Sequence, residues 1–200
     1  MERKVRIEKE KAKRADLSRR EFRRETGGGK ITGKVIAKDL GIAVAIALVV
    51  SVFASPTIVH ETSMQPTIDP GDFLIMSKQS YRFGEIERGD VIIFKSNIKR
   101  EDTNHKKLLI KRVIGIPGDV ITISGGNVYI NGKKANEKYI GGETTEGDIH
   151  DLKVGDDEVF VLGDHRSVSK DSRELGCISQ KAVRGKAVFR VYPFSKIGGI

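Results

Sequence analysis

Two short segments of the chain carry residues that could act together as a catalytic pair. The first is Ser63–Thr67 (Ser-Met-Gln-Pro-Thr), and the second is Leu109–Asp119, which places Lys111 among apolar residues. A serine hydroxyl is a poor nucleophile until a base removes its proton, and a lysine can be that base only when neutral. Burial among apolar side chains lowers the pKa of a lysine. The pattern suggests a Ser–Lys dyad, although a turn serine and an edge-strand lysine would give the same residues.

A third segment, Gly163–Arg173, is unusually rich in polar side chains and follows an apolar run that reads as a buried strand. Polar groups at this density need hydrogen-bond partners. A hydroxyl in this segment could hold a neutral Lys111 amine in place, and Asp171 with Arg173 could form a supporting ion pair. A solvated loop would have the same composition.

Histidine offers an alternative base. The residue order permits a Ser63–His165–Asp171 triad, because triads are recognised by geometry rather than by sequence position. That arrangement would leave the apolar setting of Lys111 unexplained. No metal or cofactor is expected, since the other histidines lack metal-ligand spacing: His60, His105 and His150.

A long apolar run precedes the candidate nucleophile. The 20 residues Leu40–Val59 contain no charged side chain, and at helical rise they span about 30 Å, the thickness of the hydrocarbon core. A buried core helix is one alternative, and a secretory signal cleaved near Ala54 is another. Because the basic flank is far longer than that of a usual signal, we expect one retained transmembrane helix at residues 40–59.

Positive charge is concentrated before this run. Residues 1–39 hold 14 Lys and Arg against 7 Asp and Glu, whereas the rest of the chain is nearly balanced. A nucleic-acid-binding domain would carry its charge on the folded part, so no nucleic-acid partner is expected. The tail fits a cytoplasmic segment beside anionic membrane lipid, with the chain after Val59 outside the cytoplasm.

Residues 60–200 read as a mainly β domain. Short apolar runs alternate with turn residues, Asn131-Gly132 is a strong hairpin signal, and three Gly-Asp pairs predict one turn used repeatedly to start a strand. The single cysteine, Cys177, excludes an intramolecular disulfide and reads as a packed small residue. The predicted strands are Phe73–Met76, Val91–Phe94, Leu108–Ile110, Val120–Ile123, Val128–Ile130, Val159–Leu162 and Ala187–Tyr192.

Four segments in order give the chain a resemblance to bacterial type I signal peptidases, which remove signal peptides from exported preproteins. Ser63–Thr67 resembles the nucleophile box of that family, Arg88–Phe94 its Arg-Gly-Asp strand box, Lys111–Asp119 its general-base box, and Gly163–Arg173 its Gly-Asp-x-Arg box. The single anchor, the small domain and the closing Val191–Phe194 stretch are similar to Gram-positive members.

The resemblance implies roles for individual residues. Ser63 would be the nucleophile, with its main-chain N–H in the oxyanion hole, and Lys111 the base. Ser169 would orient the lysine, and Asp171 and Arg173 would support the site.

Two positions depart from the family pattern. Some members carry a hydroxyl two residues before the nucleophile, where this chain has Glu61, so the backbone is expected to stabilise the oxyanion. His165 stands where the family commonly has Asn.

The expected function is therefore a membrane-bound serine endopeptidase acting through an acyl-enzyme on secreted preproteins. A substrate bound as an added strand presents alternate side chains to one wall, to which Met64 and Ile110 are expected to contribute. Shallow apolar pockets favour Ala-x-Ala before the cut, which would also permit slow self-cleavage after Ala54. Two other functions remain open, an inactive membrane-anchored binding relative and a self-cleaving repressor-type Ser–Lys protease. The oligomeric state is not predicted.

Overall fold

The computed structural model describes residues 2–25, 36–44, 53–99 and 105–200. The chain divides into two compact units, residues 1–47 and residues 48–200. In the first unit, helix α1 spans Glu2–Glu25, and residues 36–44 are also helical. No helix among the described residues is long and apolar enough to cross a membrane.

The predicted transmembrane helix at residues 40–59 lies only partly within the described residues, because residues 45–52 fall outside them. At its far end the structure differs from the prediction, since Ala54–Ile58 form strand β1 rather than the last turns of a helix. Pro56 explains this difference. Proline has no N–H for a helical hydrogen bond, and it biases the preceding residue toward extended backbone.

The second unit consists of two antiparallel sheets, which confirms the mainly β prediction. The larger sheet has the order β1-β2-β11-β3-β4-β9-β10, with β12 paired to β11, and the smaller has the order β7-β6-β5-β8. The strands are β1 Ala54–Ile58, β2 Phe73–Ser77, β3 Val91–Lys99, β4 Lys106–Gly115, β5 Val120–Ser124, β6 Asn127–Ile130, β7 Lys133–Lys134, β8 Ile149–Lys153, β9 Glu158–Leu162, β10 Ile178–Ser179, β11 Val183–Tyr192 and β12 Gly198–Gly199.

Short helices connect several strands. Helix α2 spans Ser80–Phe83 and α3 spans Ser172–Leu175. Three single turns of 3₁₀-helix lie at Lys138–Ile140, Gln180–Ala182 and Phe194–Lys196. All seven predicted strands are present, some of them longer than predicted, while β1, β7, β8, β10 and β12 were not predicted.

The three Gly-Asp corners share one geometry, as the sequence predicted. Their glycines have φ of 90°, 91° and 84°, in the region that favours glycine. The aspartates, Asp72, Asp90 and Asp119, each accept a hydrogen bond from the backbone N–H three residues earlier, at 3.1, 3.1 and 2.9 Å. Each carboxylate therefore closes its turn and fixes the start of the next strand, β2, β3 or β5.

Three apolar clusters form the core. One lies beneath the segment that carries Ser63 and includes Val59, Met64, Ile68 and Leu74. A second packs β3, β4 and β9 through Ile92, Phe94, Leu109, Val113, Val159 and Val161. The third joins the smaller sheet to β9 through Ile121, Ile123, Val128, Phe160 and Leu162. The first cluster fixes the candidate nucleophile, and the second fixes the strand that carries Lys111.

Candidate active site

Ser63 lies in a tight turn that follows β1. The turn is closed by hydrogen bonds from Gln65 N–H to Thr62 O at 3.0 Å and from Ile68 N–H to Met64 O at 2.9 Å. The side chains of Met64 and Ile68 are buried in the first apolar cluster. Packing on both sides of the turn thus holds Ser63, itself buried, in one orientation.

Lys111 enters the site from β4. Its backbone pairs with Ile92 of β3, and its side chain is 1% exposed. Lys111 Nζ and Ser63 Oγ are 2.7 Å apart, and Nζ also donates to Ile110 O at 3.0 Å. The structure therefore brings together the two residues that the sequence paired, although 48 positions separate them.

Burial is the main influence on the protonation of Lys111. It lowers the lysine pKa to about 8, whereas the carboxylates of Asp171, Glu61 and Asp164 raise the pKa and the ammonium of Lys107 lowers it. A lysine with this pKa is neutral in a useful fraction of molecules near neutral pH. The desolvation that the apolar sequence predicted is thus the cause of the shift.

Glu61, two residues before Ser63, forms an ion pair with Lys107, four residues before Lys111. The two side chains are 40% and 43% exposed. This pair joins the segment leading into Ser63 to the strand that carries Lys111. The sequence flagged Glu61 as an anion near the reaction centre but did not identify the cation beside it.

Asp171 and Arg173 form the ion pair that the sequence suggested. Arg173 Nε and Nη2 donate to the Asp171 carboxylate at 2.9 and 3.0 Å, and Asp171 also accepts from Gly163 N–H at 3.0 Å. Arg173 further donates to the carbonyls of Arg166 and Ser169 at 2.7 and 3.2 Å. The pair therefore fixes the polar loop between β9 and α3 beside the site.

Ser169 lies in this loop with its hydroxyl buried, and Ser169 Oγ has no hydrogen-bond partner among the described residues. Gly163 is its close neighbour, since a Cβ at Gly163 would lie 2.2 Å from Ser169 Oγ and 2.5 Å from Ser63 O. The predicted role of Ser169 in orienting Lys111 is not expressed as a hydrogen bond here and stays a prediction.

His165 does not occupy the position that a Ser–His–Asp triad requires. Its ring Nδ1 lies 3.3 Å from Thr62 O, and Nε2 lies 3.3 Å from a carboxylate oxygen of Glu143. Asp171 is engaged by Gly163 and Arg173 instead. The geometry therefore favours the dyad over the triad.

A buried ion pair that the sequence analysis did not single out ties the three catalytic segments together. Arg112 Nε and Nη2 donate to the Asp164 carboxylate at 2.8 and 2.6 Å, and Arg112 Nη1 donates to Gly89 O at 2.9 Å. Thr67 Oγ1 donates to Asp164 at 2.5 Å. The ring of Tyr139 covers the guanidinium at 4.3 Å. Both charged residues lie within segments that the sequence analysis identified, each next to a residue of interest, which was the available signal.

Two further observations concern reactive groups elsewhere in the described residues. Burial raises the pKa of the Cys177 thiol to about 11, which fits a packed, unreactive residue. Among residues 2–25, 36–44, 53–99 and 105–200, no group of three or more His, Cys, Asp and Glu side chains could hold a metal ion.

Known proteins share this sequence pattern. Residues 34–192 match the family described as signal peptidase, peptidase S26. A probable signal peptidase I-2 of Synechocystis is 36% identical over 164 residues, covering 82% of this chain and 75% of its own length. Signal peptidase I of Bacillus licheniformis is 37% identical over 171 residues, covering 80% and 89%. A solved signal peptidase I of Enterococcus faecalis has a TM-score of 0.44 at 30% identity, covering 51% of this chain and 96% of that one.

The Arg112–Asp164 pair predicts a large effect on stability. Its side chains are 10% and 0% exposed, so Arg112→Met would leave Asp164 charged in a dry site without its cation. We expect a loss of roughly 3–5 kcal/mol in the free energy of unfolding, measured by denaturant titration. The double variant with Asp164→Asn should recover part of this loss. Lys170→Met, at the exposed pair Lys170–Glu174, is the control and should cost no more than about 0.5 kcal/mol; equal losses would contradict the prediction.

Proposed function

The chain belongs to the signal peptidase family and acts as a signal peptidase I on preproteins, and we propose that Ser63 and Lys111 carry out its chemistry as a Ser–Lys dyad. The observation that carries the proposal is the 2.7 Å separation of Ser63 Oγ and the buried Lys111 Nζ. With a pKa of about 8, about a tenth of the lysines are neutral at pH 7.

The proposed reaction begins with neutral Lys111. As Ser63 Oγ attacks the scissile carbonyl, Lys111 Nζ takes the hydroxyl proton, and it then donates a proton to the departing amine. An ester between Ser63 and the signal peptide remains. Water, deprotonated by Lys111, attacks that ester and restores Ser63. We propose that Asp171 and Arg173 support the site by fixing the loop beside Lys111, and that Ser169 orients the amine.

The oxyanion formed in each step needs a donor close to Ser63. Glu61 cannot donate as a carboxylate and is held by Lys107. We therefore propose the main-chain N–H of Ser63 as an oxyanion donor, in the manner of other acyl-transfer enzymes that use backbone N–H groups.

The edges of β4 and β1 near the site are where a substrate strand could bind. β9 pairs with β4 only over Arg112–Gly115, so among the described strands nothing pairs with that edge of β4 between Lys106 and Lys111. β1, which leads toward Ser63, has β2 as its strand partner. A signal peptide could add to these edges through main-chain hydrogen bonds. Ile110, half-buried against the first apolar cluster, and Met64, buried within it, would shape its side-chain pockets.

We further propose that the apolar run from Leu40 up to the start of β1 at Ala54 tethers the enzyme to the cell membrane, with the N-terminus in the cytoplasm and residues 60–200 outside. The support is the uncharged run behind a basic flank. Helix α1 carries most of that basic surplus and would lie beside anionic lipid. An inactive binding relative is disfavoured by the formed Ser63–Lys111 contact. A repressor-type protease is disfavoured because residues 1–39 do not resemble a DNA-binding domain.

The dyad predicts that Ser63→Ala and Lys111→Met each reduce preprotein cleavage by roughly a thousandfold or more, because the two residues act as one unit. The double variant should lose little beyond either single one. Cleavage of one preprotein by the purified full-length chain is the measurement, with Lys134→Met, at an exposed lysine of β7, as an active control. Near-normal activity of Lys111→Met would exclude Lys111 as the base.

Removing either charge of the Glu61–Lys107 pair should shift the pH profile of activity, and the two shifts should have opposite directions. Activity should rise with pH through a limb near pH 8, since the base must be neutral. Lys107→Met removes a cation that lowers the pKa of Lys111 and leaves the Glu61 carboxylate without its partner. The pKa of Lys111 should rise, and the limb should move to higher pH. Glu61→Gln should move it to lower pH. The measurement is kcat/KM against pH, with Lys134→Met, at an exposed lysine of β7, as the control. Shifts in one direction for both variants would contradict the assignment of the limb to Lys111.

Specificity should follow the strand geometry. Residues one and three before the cut face one wall, and an apolar wall with shallow pockets accepts Ala at both positions and rejects large side chains. We expect Leu or Phe immediately before the cut to lower kcat/KM at least about a hundredfold in a peptide series, while changes two residues before the cut matter little. Equal cleavage of the Ala and Phe peptides would refute small pockets even with the dyad intact.

Topology can be tested in protoplasts. Protease added outside should digest residues 60–200 and spare an epitope placed before α1. A full-length chain protected until the membrane is opened would overturn the proposed orientation.

A further inference from the structure

His165 contacts the backbone on both sides of the nucleophile. Its main-chain N–H donates to Ser63 O at 3.1 Å, and its ring Nδ1 lies 3.3 Å from Thr62 O. We propose that His165 is a positioning residue whose ring aims the main-chain N–H of Ser63 at the oxyanion. The inference rests on the proposed use of that N–H in catalysis.

The planarity of the peptide bond couples the Thr62 carbonyl to the Ser63 N–H. Thr62 C=O and Ser63 N–H belong to the same planar trans unit and point in opposite directions. Whatever fixes the direction of Thr62 O therefore fixes the direction of Ser63 N–H. Thr62 O accepts from Gln65 N–H at 3.0 Å within the turn and meets His165 Nδ1 from outside it. Only the second contact links this peptide to another segment of the fold.

The next peptide unit is held as well. Ser63 O belongs to the peptide that follows Ser63 Cα, and it accepts from His165 N–H. One residue thus holds the planes on both sides of Ser63 Cα, so the two backbone torsions of the nucleophile are restrained together. Gly163 permits this approach, because a Cβ there would lie 2.5 Å from Ser63 O.

The imidazole ring is itself held in place. A carbonyl oxygen only accepts, so Nδ1 must carry the hydrogen in the contact with Thr62 O. On the other side of the ring, Nε2 lies 3.3 Å from Glu143 Oε1, to which it donates only when the ring carries both protons, and Glu143 Oε2 accepts from Ser167 N–H at 3.3 Å. The ring is 27% exposed, so it forms part of the rim of the site. Both nitrogens are engaged away from Ser63 Oγ, which leaves proton transfer to Lys111.

Two substitutions of His165 test whether its side chain acts as a hydrogen-bond donor or only fills space. Asn Nδ2 is attached to Cγ, as His Nδ1 is, so His165→Asn keeps a hydrogen-bond donor at the same number of bonds from the backbone. His165→Leu places a methyl group there and donates nothing. We expect His165→Leu to lower kcat about tenfold with KM within about twofold, because an oxyanion donor acts in the transition state. His165→Asn should recover activity to within about threefold of the parent.

Inhibition by a peptide aldehyde is a second measurement, which depends on the oxyanion but needs no turnover. A peptide aldehyde ending in Ala accepts Ser63 Oγ at its carbonyl carbon, and the hydroxyl proton passes to Lys111, which leaves a hemiacetal oxyanion. Its inhibition constant should weaken about tenfold in His165→Leu and recover in His165→Asn. Binding of the matching peptide alcohol, which has no terminal carbonyl and forms no oxyanion, should stay within about twofold. His150→Ala, at an exposed histidine of β8, is the control and should match the parent in each assay.

Three results would overturn the inference. They are normal kcat and aldehyde inhibition in His165→Leu, equal losses in His165→Leu and His165→Asn, or equal weakening of the aldehyde and the peptide alcohol. Failure of the proposed dyad has a different signature, namely cleavage by Ser63→Ala or Lys111→Met. The two failures are therefore distinguishable in one set of proteins.

Discussion

The burial of one lysine is the constraint on which the rest of the site depends. Lys111 can act as the proposed base only without its proton, and desolvation favours that neutral form by lowering its pKa to about 8. Three carboxylates near it act in the opposite direction, those of Asp171, Glu61 and Asp164. Each of the three has its own cation in the structure: Arg173, Lys107 and Arg112. The ion pairs around the site therefore limit the anionic field that would otherwise keep Lys111 charged.

The same ion pairs hold together segments that are distant in the sequence. Arg112 follows the base on β4, Asp164 follows β9, and Thr67 belongs to the nucleophile turn, and all three meet in one hydrogen-bonded group. The Asp171–Arg173 pair fixes the loop after β9 in a comparable way. A dyad contact requires positional accuracy below 1 Å, because misplacement by that distance costs on the order of a hundredfold in rate. Buried bidentate pairs provide it through directional hydrogen bonds.

The sequence predicted the parts of this arrangement that are local. Apolar runs between turn residues predicted seven strands, and Gly-Asp pairs predicted the corners, because both signals depend on neighbouring residues. The Ser63–Lys111 pairing was predicted from chemistry and resemblance together. Strand β1 was missed because an apolar run also suits a membrane helix, and Pro56 was the overlooked signal. Strand β8 was missed because its burial depends on pairing with β5.

The partners of charged side chains were the least predictable feature. Nothing in the sequence distinguishes Lys107 from Lys106 as the partner of Glu61, because the choice depends on where β4 lies relative to the end of β1. In the same way, Arg112 and Asp164 lie 52 positions apart, and only the folded sheet brings them within 2.6 Å. Contacts between distant parts of the chain leave no local pattern in the sequence. The sequence therefore pointed to Ser63 and Lys111 but not to the charged residues that surround them.

On the nucleophile side of the site, the proposed oxyanion donor is the backbone rather than a side chain. Glu61 lies two residues before Ser63, and its carboxylate is directed to Lys107. A backbone N–H has no side-chain rotamers to restrain, and its direction is set by the peptide plane alone. Accuracy at Ser63 then depends on the groups that bind Thr62 O and Ser63 O. Two of those contacts come from His165. A change of residue at position 165 should therefore alter the direction of the Ser63 backbone N–H rather than the proton transfer to Lys111.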